Sequence, residues 1–171
     1  MAEIIKVYGQ RLPAMRFIGK RFADHGGWGD MFANGWFELI EQSAGGADVL
    51  HHIPGYGQDG DAYIGLECHK DGELLEVVIG MFAPPGTEVP EGFAYIDYAA
   101  GTNLGVCWIY GEEQATHGLV GQCVDKLIEA GMQITTDEQG ATWSFERCQC
   151  PRFTTPDEHG NVILDCCYFV K

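Results

Sequence analysis

The sequence is short of positive charge. Its 171 residues include 10 Lys and Arg against 25 Asp and Glu, which gives a formal net charge of −15 at pH 7. Phosphate backbones and anionic lipid surfaces attract basic residues, so this balance disfavours direct binding to nucleic acid or to a membrane surface. A hydrophobic content of 46% with 12% aromatics argues against disorder. The composition therefore predicts a folded domain whose direct ligand is neither nucleic acid nor membrane.

Long apolar runs and a leader-type amino terminus are also missing. No apolar stretch approaches the ~20 residues of a membrane span, and MAEIIKVYGQ lacks the basic and apolar regions of a signal peptide. The seven cysteines include no pair at the two-residue gap of a zinc knuckle. We therefore expect a cytoplasmic protein with reduced, mostly buried thiols and with no metal or other cofactor.

Motifs of common enzyme classes are absent as well. The sequence contains no GxSxG elbow, no HExxH and no P-loop. The glycine-rich segment 26–29 lacks the Lys and Ser/Thr of a phosphate loop, and the adjacent His51 and His52 have no third ligand nearby. Any activity must therefore be sought in side chains that the fold brings together.

The chain does contain an ordered series of strand and helix patterns. Strand patterns cover residues 12–22, 62–69, 74–82, 93–100, 104–111, 141–150 and 161–170, and helical spacing covers 31–43 and 119–128. A proline-rich connector, 83–92, separates two similar halves. We predict a single α+β domain, 1–171, built from duplicated strand-helix-strand-strand units at about 1–83 and 90–171. Its antiparallel sheet would carry two helices on one face and a ligand cleft between the halves.

The two predicted hairpins open alike, with Tyr63-Ile64-Gly65-Leu66-Glu67 beside Thr142-Trp143-Ser144-Phe145-Glu146. Strand alternation predicts that the large apolar residues, Ile64, Leu66, Trp143 and Phe145, face the helices. Glu67, Ser144 and Glu146 would then lie on the other face. Such a carboxylate is either solvated or paired with an arginine such as Arg147 or Arg152. Alternatively it lies in a cleft, where it binds a cation or acts as a base.

Aromatic residues suited to such a cleft occur on several predicted elements. Aromatic rings stack on flat molecules and stabilise cations, although any one of them is as easily an ordinary core residue. The candidates are Tyr63, Trp108, Tyr110, Tyr168 and Trp36. Strand alternation places Trp108 and Tyr110 on one face.

Three segments give the sequence a family resemblance, the weakest of them being the first predicted strand and helix. PEGFAYIDYAAGTNLGVCWIYGE at 90–112 and the tail, with WSFERCQCPRF at 143–153 and DEHGNVILDCCYFV at 157–170, are similar to stretches of the gyrase-inhibitor-like (GyrI-like) effector-binding family. Domains of this family are attached to AraC-type and MerR-type transcription regulators and also occur alone. The resemblance implies a duplicated fold with a pocket between the halves, in which Glu146 contacts aromatic or lipophilic cations. The family's Tyr after Glu-Arg is Cys148 here.

Three functions follow from the resemblance. The first is a stand-alone small-molecule-binding protein with Glu146, Glu67 and the aromatic candidates as ligand-binding residues. The second is a hydrolase of cyclopropane-containing genotoxins, with Glu146 as general base and Glu67 as a second carboxylate. The third and weakest is an acidic inhibitor that binds a basic protein. Whether the chain has a protein partner or forms a homodimer stays open.

Overall fold

Most of the chain is β-structure. The computed structural model describes residues 1–171, except for the side chain of Gln58. The strands are β1 (Glu3–Arg11), β2 (Met15–Phe22), β3 (Tyr63–Lys70), β4 (Glu73–Ala83), β5 (Ala94–Tyr98), β6 (Asn103–Gly111), β7 (Thr142–Cys148) and β8 (Val162–Val170). The helices are α1 (Gly27–Ala33), α2 (Trp36–Ala44), α3 (Ala47–His51), α4 (Glu113–His117) and α5 (Val120–Glu129). None of these helices of the described chain is long and apolar enough to cross a membrane.

The eight strands of residues 1–171 form one sheet in the order β1-β6-β8-β7-β3-β4-β2-β5, and every pairing in it is antiparallel. The predicted α+β class with an antiparallel sheet is therefore confirmed. The order has matching positions on either side of the β7–β3 pair, with β8 opposite β4 and β6 opposite β2. The first strand of each half pairs with the other half, since β1 joins β6 and β5 joins β2. The single domain and the repeat boundaries stay predictions.

The sheet curls strongly around one face. Tyr98 on β5 and Phe169 on β8 stack with ring centroids 5.2 Å apart, although their strands are five positions apart in the sheet order. In a flat sheet, five strand spacings would separate them by about 24 Å. The concave face therefore encloses a core, which includes Ile64, Leu66 and Phe145 and is filled in part by Ile53 and Tyr56 from the connector after α3.

The helices cover the convex face of the sheet. The sequence predicted that they would cover the face that carries Ile64, Leu66 and Phe145. Alternation did group Ile64, Leu66 and Phe145 correctly, but these residues face the concave core and not the helices. α1 to α3 pack on residues of β2 and β4, and α5 packs on residues of β6 and β8. The prediction was wrong because the concave core is closed by the curl of the sheet itself. Glu67 and Glu146 consequently lie on the helix-covered face.

Two further differences concern the elements themselves. The predicted helix over 31–43 is split into α1 and α2, because Gly35 adopts a left-handed conformation with φ of 64°. β1 was not predicted, and the expected strand at 12–22 begins only at Met15. α3 and α4 occupy segments where no helix was expected.

Candidate functional site

A cleft lies on the convex face between α1 and α4, above the central strands β3 and β7. Its cavity measures about 530 Å³, within the range of about 300–1,000 Å³ that is usual for small-molecule sites. The lining residues are Trp28, Phe32, Tyr63, Glu113, His117, Cys148, Phe153, Thr154 and Pro156. Aromatic rings from α1 and β3 thus face charged side chains from α4.

The aromatic wall depends on a glycine in β3. Gly65 pairs with Glu146 of β7, and a Cβ atom at position 65 would lie 3.1 Å from Cζ2 of Trp28. The missing side chain therefore lets the indole ring approach the sheet beside Glu146. The ring centroid of Phe32 lies 6.4 Å from that of Trp28 and 5.6 Å from that of Tyr63. These rings form a continuous apolar surface next to a carboxylate.

Glu146 contacts a histidine from the facing wall. Nδ1 of His117 lies 3.0 Å from one carboxylate oxygen of Glu146 and 3.1 Å from the other. This contact favours the protonated imidazole and raises the pKa of His117. The Glu146 side chain is 20% exposed, so it is partly withdrawn from water and still partly accessible.

A second carboxylate lies diagonally across the β3–β7 pair. Glu67 pairs with Ser144, two residues from Glu146 on the same face, and its side chain is 15% exposed. Burial raises the pKa of Glu67, with His25 opposing the shift and Glu146 adding to it. Nε2 of His25 lies 3.4 Å from Oε1 of Glu67. We call the surface of β3 and β7 beneath the cavity the floor of the cleft, and it carries these two carboxylates in different environments.

Tyr168 lies near Glu67, and Cys148 lies near Glu146. Tyr168 lies on β8 opposite Ser144, and burial raises the pKa of its phenol. Cys148 lines the cavity, and burial raises the pKa of its thiol to about 12. A thiol with so high a pKa stays protonated at neutral pH and is a poor nucleophile. Chemistry in the cleft therefore rests on the carboxylates and the histidines.

Arg147 and Arg152, which the sequence offered as possible partners of Glu146, lie on the opposite side of the sheet from it. Arg147 is fully buried, and its Nε donates to Oδ2 of Asp165 over 2.8 Å. Nε of Arg152 donates to Oδ1 of the same Asp165, also over 2.8 Å. Among the described side chains, the cationic group in contact with Glu146 is the imidazole of His117. Glu146 is thus not neutralised by a permanent positive charge.

The structure brings together Glu146, Glu67, Tyr63 and Tyr168, and it separates the other three candidates from them. Trp108 lies on the concave face, where its Nε1 donates to the Tyr8 hydroxyl over 3.2 Å.

Tyr110 shares that face of β6 and donates to Asp157 over 2.7 Å. Trp36 packs under Lys20, whose Nζ lies 4.3 Å from the ring centroid. On β6, the residues that meet the helices are Cys107 and Ile109, which alternate with Trp108 and Tyr110.

Several lining residues were not among the sequence candidates. Trp28 and Phe32 are four residues apart on α1, as are Glu113 and His117 on α4. Side chains at this spacing share one helix face, but the sequence predicted no helix at α4 and none as early as Trp28. Nothing in the sequence indicates that these two helix faces meet, and no sequence pattern marks Phe153 as a lining residue of the cleft.

No metal centre accompanies these groups in the described residues. No cluster of three or more His, Cys, Asp or Glu side chains there is arranged to hold a metal ion. The seven cysteines are free, and five of them are buried.

Comparisons with known proteins give a fold and no family. No protein-family model matches the chain, and no curated protein matches it. Solved structures do match. SAV2435 bound to tetraphenylphosphonium has a TM-score of 0.52 and 15% identity, covering 98% of this chain and 94% of that chain.

Two proteins from Listeria innocua are also similar. An uncharacterized conserved protein has a TM-score of 0.54 and 12% identity, covering 97% of this chain and 92% of that one. A hydrolase has a TM-score of 0.51 and 11% identity, with coverage of 97% and 92%. At such identities the likeness shows a shared fold, and that fold fits the GyrI-like architecture implied by the sequence.

Proposed function

We propose that the protein binds small aromatic or lipophilic cations in the cleft between α1 and α4, with Glu146 as the counter-charge. One observation carries this proposal. Glu146 is a partly buried carboxylate in contact with His117, which lines the cavity of about 530 Å³, and the Trp28 ring of that cavity lies against Gly65, the β3 partner of Glu146.

The physical chemistry of the cleft favours a cation over a neutral ligand. Two unit charges 4 Å apart attract by about 4 kcal/mol at the effective dielectric of a protein surface, against about 1 kcal/mol in water. A cation over an aromatic face adds about 0.5–2 kcal/mol. Glu67 and Glu113 contribute further negative charge near Glu146.

The similarity to SAV2435 supports the same ligand class. That protein was solved with tetraphenylphosphonium, a cation whose charge is enclosed by aromatic rings. The apolar wall of Trp28, Phe32 and Tyr63 suits such rings, and the carboxylate floor suits the charge.

Titration with tetraphenylphosphonium by isothermal calorimetry tests the proposal. We expect saturable binding that becomes at least tenfold weaker in Glu146→Gln, which keeps the side-chain shape and removes the charge; tenfold corresponds to about 1.4 kcal/mol. Glu158→Gln makes the same change of net charge at a site that is 87% exposed, and it should bind like wild type. Absent saturation, or equal affinities of the two variants, would falsify the cation cleft.

A second candidate function is hydrolysis of a cyclopropane-containing compound. Two carboxylates in different environments share the floor, and burial favours the protonated form of Glu67, the arrangement expected of an acid and a base. Glu146 would take a proton from water as the water oxygen bonds to a ring carbon. The ring C–C bond would break, and Glu67 would protonate the carbon that receives the electron pair. The hydrolase from Listeria innocua shares the fold.

Mass spectrometry of an incubated cyclopropane substrate separates this function from binding alone. Hydrolysis predicts a product heavier by one water, formed by wild type and lost in Glu146→Gln. Turnover that persists in Glu146→Gln rejects Glu146 as the base. Binding of tetraphenylphosphonium without turnover leaves the first function standing and rejects the second.

A further inference from the structure

A second cavity lies on the concave face of the sheet, away from the cleft. It measures about 510 Å³, close to the volume of the cleft. Its walls come from distant places in the strand order, because Ile96 and Tyr98 belong to the end strand β5, whereas Trp143 and Phe169 belong to β7 and β8 near the middle of the sheet. The curl of the sheet brings these walls together, and the proposed function uses none of them.

The walls offer flat aromatic surface in a fixed arrangement. The rings of Tyr98 and Phe169 are stacked within 8° of parallel. The indole Nε1 of Trp143 donates to Oδ2 of Asp137 over 3.0 Å, which holds the ring in place. Rings that are already ordered lose little conformational entropy when a planar ligand packs on them.

The cavity lacks the free charge that characterises the cleft. Asp137 is the one charged residue among those that line it, as far as the structure describes them. Its Oδ2 accepts from Trp143, and its Oδ1 accepts the backbone N–H groups of Gln139 and Ala141 over 2.9 Å each. These bonds lower the pKa of Asp137 and occupy its oxygens. The cavity is therefore suited to an uncharged ligand.

Two polar side chains remain to orient that ligand. Asn103 and Thr136 line the cavity, and neither makes a side-chain hydrogen bond within the part of the chain that the structure describes. By contrast, the Thr102 hydroxyl is engaged, since it donates to the Ala99 carbonyl over 2.8 Å. An amide and a hydroxyl together offer both donors and acceptors.

We propose that this second cavity binds a small, planar, uncharged aromatic molecule that carries a hydroxyl or amide group. The ring packs against the stacked Tyr98–Phe169 pair and Trp143, and the polar group bonds to Asn103 or Thr136. The site is independent of Glu146, and its one carboxylate, Asp137, is already held by three hydrogen bonds.

Titration with 2-naphthol, followed through backbone amide shifts in NMR spectra, tests the site. We expect saturable shifts at residues 96–103 and 135–137. Ile96→Trp places a large ring in the cavity and should weaken binding at least tenfold, or about 1.4 kcal/mol. Tyr95→Trp adds the same ring one residue away, at a position 52% exposed, and should bind like wild type.

Thr136→Phe fills the cavity from the opposite wall and guards against a folding defect in Ile96→Trp. Both filling variants should still bind tetraphenylphosphonium like wild type, because the cleft lies on the other face. The proposal is overturned if 2-naphthol causes no saturable shifts, or if its shifts fall at Trp28, Tyr63 and Cys148. It is also overturned if either folded filling variant keeps wild-type affinity for 2-naphthol.

Discussion

At the scale of single residues, the surroundings of Glu146 are asymmetric. His117 contacts its carboxylate from α4, whereas Gly65 leaves the other side open for the Trp28 ring. The same carboxylate therefore has two competing partners for its charge, the imidazolium in the empty protein and a cation over the aromatic wall. This competition makes ligand binding sensitive to pH.

We expect cation binding to weaken as the pH falls. The contact with Glu146 raises the pKa of His117, and burial raises the pKa of Glu67. At low pH His117 therefore carries a charge that neutralises Glu146, while Glu67 loses its own charge. Calorimetric titration with tetraphenylphosphonium between about pH 5 and about pH 8 should show several-fold tighter binding at the upper end.

Substitution of His117 separates its contribution from the others. His117→Asn should reduce the pH dependence of cation binding. The dependence that remains belongs to Glu67, with His25 and Glu113 near the same cleft. His159→Asn, at a position 71% exposed, should keep the wild-type dependence. Equal dependence in the two variants would show that His117 does not compete. In the empty protein, the raised pKa of His117 stabilises the fold at low pH, and this contribution is lost as the pH rises through that pKa.

At the scale of elements, the break between α1 and α2 sets the direction of the aromatic wall. Gly35 adopts φ of 64°, a conformation that costs other residues about 1–2 kcal/mol. We expect Gly35→Ala to lower the free energy of unfolding by about 1 kcal/mol in urea titrations, because alanine must adopt a left-handed backbone.

Gly35→Asn is the matched comparison for that loss. Asparagine tolerates the left-handed region better than alanine, so its loss should be smaller. Equal losses in the two variants would mean that backbone conformation at position 35 is not what stabilises the break.

Strands with clear period-two patterns could be predicted from the sequence, whereas β1 and the short helix α4 could not. β3, β4, β6 and β8 lie within a residue or two of their predicted bounds. β1 alternates poorly, because as an edge strand it is half exposed along its length. α4 is a single turn of five residues, too short for a helical period to show.

Alternation also predicted which side chains share a face, and it could not say which face the helices cover. Glu67 and Glu146 share a face as the repeat indicated, and Tyr63 joins them. The contact between Glu146 and His117 joins residues 29 positions apart through the packing of α4. Such a contact depends on tertiary structure, so sequence spacing alone does not reveal it.

At the scale of the whole molecule, the two ends of the concave face differ in chemistry, with a cavity at one end and a buried charged network at the other. Trp143, near the start of β7, faces the second cavity, whereas Arg147, four residues later, lies in a buried charged network. In that network Asp165 accepts from Arg147 and Arg152, and Arg152 also reaches Asp59 over 2.9 Å. The network thereby ties β7 and β8 to the connectors at Asp59 and Arg152 and closes one end of the core.

We expect this network to stabilise the fold only as a complete set. Asp165→Asn should lower the free energy of unfolding by about 3–5 kcal/mol in urea titrations followed by circular dichroism, since it removes the nearest carboxylate of buried Arg147 and leaves only Asp59, 3.4 Å away, as its ion-pair partner. The double variant Arg147→Met with Asp165→Leu should lose less than the sum of the single losses, because no buried charge is left unpaired at these two positions. Asp97→Asn breaks a surface pair with Arg16, in which Asp97 is 56% exposed, and should cost about 0–1 kcal/mol. Additive losses in the double variant would mean that each residue acts through its own packing, and the closed end of the core would then owe its stability to shape and not to charge pairing.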